Sequence, residues 1–149
     1  IFEGSNASRV AKEFSERVWL SWTNRGHQPD QLPSTEALSK AVDFSIEADV
    51  ECTLINCSHA DMASNSIKEL KRASRFGIFA NSSTFKEVDL SIATKDVDAI
   101  HHLNSEKISA KEYAMIALSW VKEGAYVVGG CCGTTVEHTR EIKLLMDSL

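Results

Sequence analysis

Apolar positions along this chain switch between two spacings, and the switching predicts a repeating order of helices and short strands. Val10, Ala11, Phe14 and Val18 recur at helical spacing behind a cap at Asn6 or Ser8, which predicts a helix through Val18, with a strand over Val18 to Trp22. A polar, turn-rich loop from Thr23 to Ser34 follows and holds both prolines, Pro29 and Pro33. Ser34 then opens a helix that turns Leu38, Ala41, Val42 and Ser45 inward. Cys52 to Asn56 reads as a second strand, and Asp61 or Ser64 starts a helix with Ile67 and Leu70 inward. Phe76 to Ala80 is a third strand, short and continuously apolar, as buried parallel strands are.

The pattern fades between Asn81 and Ser109, where Val97 to Ile100 reads as an extra strand or part of a long loop. It returns with a helix capped by Ser109, carrying Ala110, Tyr113, Ala114, Ala117, Trp120 and Val121 on one side and stopped by Gly124. Ala125 to Val128 is the next strand. Thr134 or Thr135 opens the last helix, with Ile142, Leu145, Met146 and Leu149 as its buried stripe. Four strand–helix pairs with helical crossovers imply parallel strands. A closed (β/α)8 TIM barrel needs about 250 residues. The 149 residues here, one domain over 1–149, therefore predict an α/β fold equal to half of such a barrel.

Composition narrows the partners. A net charge of −5, with basic residues scattered as in Lys68 to Arg75, argues against a nucleic-acid surface. No apolar run reaches membrane-spanning length. The opening Ile1-Phe2-Glu3-Gly4 has neither an initiator Met nor a signal-peptide pattern, so it reads as cut from something longer. Of four cysteines, Cys131 and Cys132 are adjacent, which is poor geometry for a simple internal bridge. Reduced cytoplasmic thiols or metal ligands are the expectation.

Barrel chemistry sits where strands end, at the carboxy-terminal mouth. Cys57 directly follows the strand ending Ile55-Asn56, and Cys131 and Cys132 follow the last strand and Gly129-Gly130. Both positions face one mouth, although 74 residues separate Cys57 from Cys131. Cysteine is often only a small buried hydrophobe, which is the reading for Cys52 within its strand. For the other three the shared location favours metal. Three thiolates with one open position is what a catalytic zinc requires.

The run Val128-Gly129-Gly130-Cys131-Cys132-Gly133-Thr134-Thr135, with Ile55-Asn56-Cys57, resembles the two zinc signatures of the homocysteine S-methyltransferase family. Phe2-Glu3 is similar to the motif ending that family's fourth barrel strand, Leu20 to Thr23 to its fifth strand, and Ala80-Asn81-Ser82 to the segment after its seventh. The resemblance implies the carboxy-terminal half of the barrel, about strands five to eight. It implies zinc on Cys57, Cys131 and Cys132, with Glu3 and Asn81 as catalytic residues and Glu3, Asn56 and Trp22 as substrate contacts. Glu3 would hold the homocysteine ammonium. The implied reaction is methyl transfer to the homocysteine thiol, giving methionine, from a sulfonium donor such as S-methylmethionine or S-adenosylmethionine.

The chain departs from the family pattern at Gly4, Ala60, Ala80 and Val136, none of which is a zinc ligand. Rival readings are a truncated, non-catalytic zinc-binding half barrel that needs a dimer or its missing half, a phosphate cradle at Gly-Gly before Thr134-Thr135, and a redox pair at Cys131-Cys132. His59 with Asp61 is a candidate neighbour of the metal site but reads better as loop polarity, as does His27 with Asp30, and His101-His102 would point apart. Trp19, Trp22 and Trp120 read as core or packing residues, with Trp22, at a strand end, also placed to contact a cationic methyl donor.

Overall fold

The computed structural model describes residues 4–14, 17–24, 28–33, 35–85 and 105–148. Glu3, His27, Ser34, Val97 to His102 and Leu149 lie outside the described residues. The chain runs α1 (Gly4–Lys12), β1 (Trp19–Trp22), α2 (Leu38–Glu47), β2 (Cys52–His59), α3 (Ala60–Asn65), α4 (Ile67–Leu70), β3 (Phe76–Asn81), β4 (Ser83–Phe85), β5 (Ser105–Lys107), α5 (Ala110–Lys122), β6 (Val127–Gly130) and α6 (Val136–Met146).

Four strands form one parallel sheet in the order β1-β2-β3-β6. The order follows the chain without the reversal of a doubly wound sheet, and helices bridge each neighbouring pair. Strand side chains alternate between two faces. On one face Trp22, Ile55, Phe76, Ile78 and Ala80 meet Leu38, Ala41 and Val42 of α2, Ala60 and Ala63 of α3, Leu70 of α4, Tyr113, Ala117 and Trp120 of α5, and Ile142 of α6. That is the core. On the opposite face Ser21 of β1 donates to the Asn56 side-chain oxygen of β2 at 2.8 Å.

The pattern-based elements are largely present, with differences that have local causes. The first helix ends at Lys12 rather than Val18, leaving Phe14 62% exposed. Val18 is instead drawn to the sheet, its carbonyl accepting the Glu51 N–H at 2.9 Å. The helix expected from Asp61 or Ser64 begins at Ala60 and breaks into α3 and α4 at Ser66, whose hydroxyl donates to the Met62 carbonyl at 3.0 Å. The last strand starts at Val127 and takes in both glycines, whose small side pairs with Phe79 and Ala80 of β3. The antiparallel β4–β5 pair in the weakly patterned region was not foreseen. Its strands have three residues each, too short to show a period. Ser109 does cap its helix, in a reciprocal box with Glu112. Among the described residues, no helix is long and apolar enough to cross a membrane.

Candidate metal centre

Strand β2 slips register between Asn56 and His59, so its end bulges beside β3. Cys57 sits in that bulge with φ +54°, a left-handed backbone that costs an L-residue about 1–2 kcal/mol. The Ser58 hydroxyl holds the bulge: it donates to the Asn56 carbonyl at 3.1 Å and accepts the Asn24 N–H at 3.0 Å. The twist turns Cys57 toward the end of β6.

The β6 loop is held as firmly. The Cys131 N–H donates to the Ala80 carbonyl at 2.8 Å, and the Cys132 N–H to the Asn81 side-chain oxygen at 3.0 Å. The Ser82 N–H reaches the Cys132 carbonyl at 3.1 Å, and the Thr134 hydroxyl donates to the Cys131 carbonyl at 2.7 Å. A Cβ on Gly130 would stand 2.4 Å from Thr134 Oγ1, so the hydroxyl's position requires glycine. Gly133, at φ +77°, makes the turn that returns the chain to α6.

The three sulfurs converge. Cys57 Sγ lies 3.2 Å from Cys131 Sγ and 3.5 Å from Cys132 Sγ, and the adjacent pair is 4.0 Å apart. These are non-bonded separations, since a disulfide is about 2.0 Å long, and all four cysteines are free. A tetrahedral cation with Zn–S bonds of about 2.3 Å spaces its sulfurs about 3.8 Å apart. The triangle fits that donor set. Cys57 and Cys131 are half-buried and Cys132 is exposed, so the open side faces outward. Burial first, then hydrogen bonds with Cys131 and Cys132, push the Cys57 thiol up to about 12. Crowded sulfurs resist ionising together, and a cation at their centre would remove that penalty.

The remaining sequence-predicted residues divide. Asn81 adjoins the cluster and pins Cys132 through its backbone. Asn56 is next to Cys57 and accepts from Ser21 at 2.8 Å and Thr23 at 3.2 Å. Of the two readings of Trp22 the structure shows the packing one: it is 6% exposed on the helix-facing side, and its indole N–H donates to Ser45 of α2 at 3.0 Å. Alternation turns it away from the face that Ser21 and Asn56 share. His59 is corrected. It ends β2 rather than facing solvent, is buried, and its Nδ1 lies 2.9 Å from the Ser83 hydroxyl. Cys52 is fully buried as expected, and burial raises its thiol above the ordinary range.

Sequence reasoning missed three supports. Ser58 carries no signal distinguishing it from any loop serine. His138 does, because Thr135-x-x-His138 has the spacing of a capping box: the Thr135 N–H donates to His138 Nδ1 at 3.1 Å. The hydroxyl of Tyr113, a residue read only as helix core, lies at the strand ends.

A parallel sheet that gathers three thiols from the ends of β2 and β6, on either side of β3, defines a class of protein, and its relatives agree on which. The chain belongs to the homocysteine S-methyltransferase family, whose profile matches residues 2–146. It is 26% identical over 144 residues to the homocysteine S-methyltransferase YbgG of Bacillus subtilis (strain 168), covering 95% of this chain and 42% of YbgG. The fold is also that of the homocysteine methyltransferase MmuM from Escherichia coli. The metallated form superposes with a TM-score of 0.65 at 18% identity, over 95% of this chain and 40% of that one. The apo form gives 0.63 at 18% identity, over 95% and 44%. The chain thus spans less than half the length of the relatives it matches.

Proposed function

We propose that this chain supplies the thiol-activating part of a zinc-dependent methyl transfer to homocysteine, giving methionine from a sulfonium donor such as S-methylmethionine or S-adenosylmethionine. The observation that carries the reading is the Cys57, Cys131 and Cys132 triangle, assembled from two strand ends with its open side outward. In this reading the four parallel strands are the fifth to eighth of a (β/α)8 barrel, and residues 1–149 are a partial homocysteine-binding domain. Bound zinc supplies a Lewis acid that keeps a fourth sulfur as thiolate at neutral pH.

The chain's own residues do the holding. Cys57, Cys131 and Cys132 present three sulfurs and leave one tetrahedral position open. Asn81 fixes Cys132 by taking its backbone N–H. Glu3 is proposed to pair with the substrate ammonium, and Asn56, beside Cys57, to line the substrate's approach. In the transfer, the donor's carbon–sulfur bond breaks as a new one forms to the homocysteine sulfur. The donor leaves as a neutral thioether, and the thiol proton goes to solvent. A cytoplasmic setting belongs to this reading, because three free thiols persist in a reducing compartment.

A second reading is a non-catalytic zinc-binding half barrel that needs a partner. It is favoured by the sheet's outer strands, β1 and β6, which have no further strand beside them among the described residues. One experiment separates the two. Purified chain is assayed for zinc content, then for methyl transfer to homocysteine from S-methylmethionine, S-adenosylmethionine and betaine. One zinc per chain, lost in Cys131→Ser, with turnover supports the first reading. Zinc without turnover supports the second, and a folded chain that takes up no zinc ends both.

A further inference from the structure

We propose that Tyr113 is a positioning residue for the cysteine loop, its hydroxyl clamping the ends of β3 and β6 so that Cys131 and Cys132 meet Cys57. Tyr113 projects from α5 and is fully buried. Its hydroxyl oxygen lies 2.8 Å from the Ala80 carbonyl and 2.8 Å from the Gly129 carbonyl. These two carbonyls belong to neighbouring strands, paired Phe79 to Gly129 and Ala80 to Gly130. One proton is therefore shared across the last rung before the loop. The Ala80 carbonyl that it touches is the same one that accepts the Cys131 N–H.

The ring is held independently of the hydroxyl. It meets Trp120 edge to face at 5.7 Å and 87°, and His138 at 5.6 Å and 75°. His138 in turn caps α6 through the Thr135 N–H. Helices α5 and α6 and strands β3 and β6 thus converge on this side chain, whose contact on β6, Gly129, lies two residues before Cys131. Nothing in that arrangement touches Cys57, which the Ser58 bulge places separately. A buried hydroxyl that bridges two backbone acceptors excludes any slip of one strand end against the other, because slipping would strand at least one bond. A slip there would carry two sulfurs away from the third.

The proposal rests on reading the cysteine cluster as a metal centre, and its test has one arm that does not. Tyr113→Phe removes a single oxygen and keeps both ring contacts. Ser45→Ala serves as a control, since it removes the buried bond to Trp22 on the far side of the core. In metal-free protein, amide exchange at Cys131 is followed by NMR beside core amides such as Ile55 and Ile78. In loaded protein, zinc affinity is read by competition with a chelator. The expected result for Tyr113→Phe is Cys131 exchange faster by about fivefold, with the core amides unmoved, and zinc held about tenfold more weakly. Ser45→Ala should change neither. The proposal is overturned by Cys131 exchange equal to the parent's, by an equal zinc loss in Ser45→Ala, or by a Tyr113→Phe chain that does not fold. If the parent takes up no zinc, the metal reading fails and the Cys131 exchange alone decides the clamp.

Discussion

Cys57 and its two partners share a constraint that none has alone. Burial and the neighbouring sulfurs hold the Cys57 thiol up to about 12, so near neutral pH it keeps its proton until a cation displaces it. The sign follows directly. A group with a raised pKa binds its proton more tightly, so lowering the pH favours the protonated, metal-free form. Zinc affinity should therefore rise as pH is raised from 6 to 9, by about tenfold or more per unit where at least one proton leaves. Titrating zinc into weakly buffered protein should release protons at each pH. Affinity that is flat over this range would mean that Cys57 gives up no proton on binding, contrary to its raised pKa.

At the scale of elements, the cysteine loop depends on glycine as much as on sulfur. Gly133 has φ +77°, and a Cβ there would lie 2.7 Å from the Ser82 hydroxyl. Gly133→Ala should lower the unfolding free energy by about 1–2 kcal/mol and weaken zinc binding, because Ser82 also anchors Cys132 through its N–H. Thermal melts with and without zinc would check both effects. This dependence explains what could be read from the sequence. The strands, the Ser109 cap and the order of the cysteines were legible, since apolar period and turn residues encode them. The bulge at Cys57 was not, because a register slip leaves no trace in composition. The packing of Trp22 was legible as one of two readings, but its partner Ser45 was not, because one residue of phase decides which face a strand-end tryptophan takes.

For the whole molecule, the sheet has one finished side and one unfinished side. Helices cover the first, while Trp19 is 43% exposed and β1 and β6 lack outer neighbours among the described residues. Open parallel sheets without cover invite association. The chain alone should therefore self-associate as its concentration rises, measurable by sedimentation equilibrium. Trp19→Lys should weaken that association by about tenfold, since an edge charge opposes strand pairing. A chain that stays monomeric well into the micromolar range would show that the open side is stable by itself.

The left-handed backbone at Cys57 sets stability against function at a single position. Without metal, that residue carries conformational strain in return for weak thiol contacts with Cys131 and Cys132, so selection for stability alone would replace it with glycine. Cys57→Gly should melt higher than the metal-free parent, by the equivalent of about 1 kcal/mol, and lower than the zinc-loaded parent. A copy of this gene released from its chemistry would be expected to lose Cys57 before Cys131 or Cys132, whose backbones are unstrained.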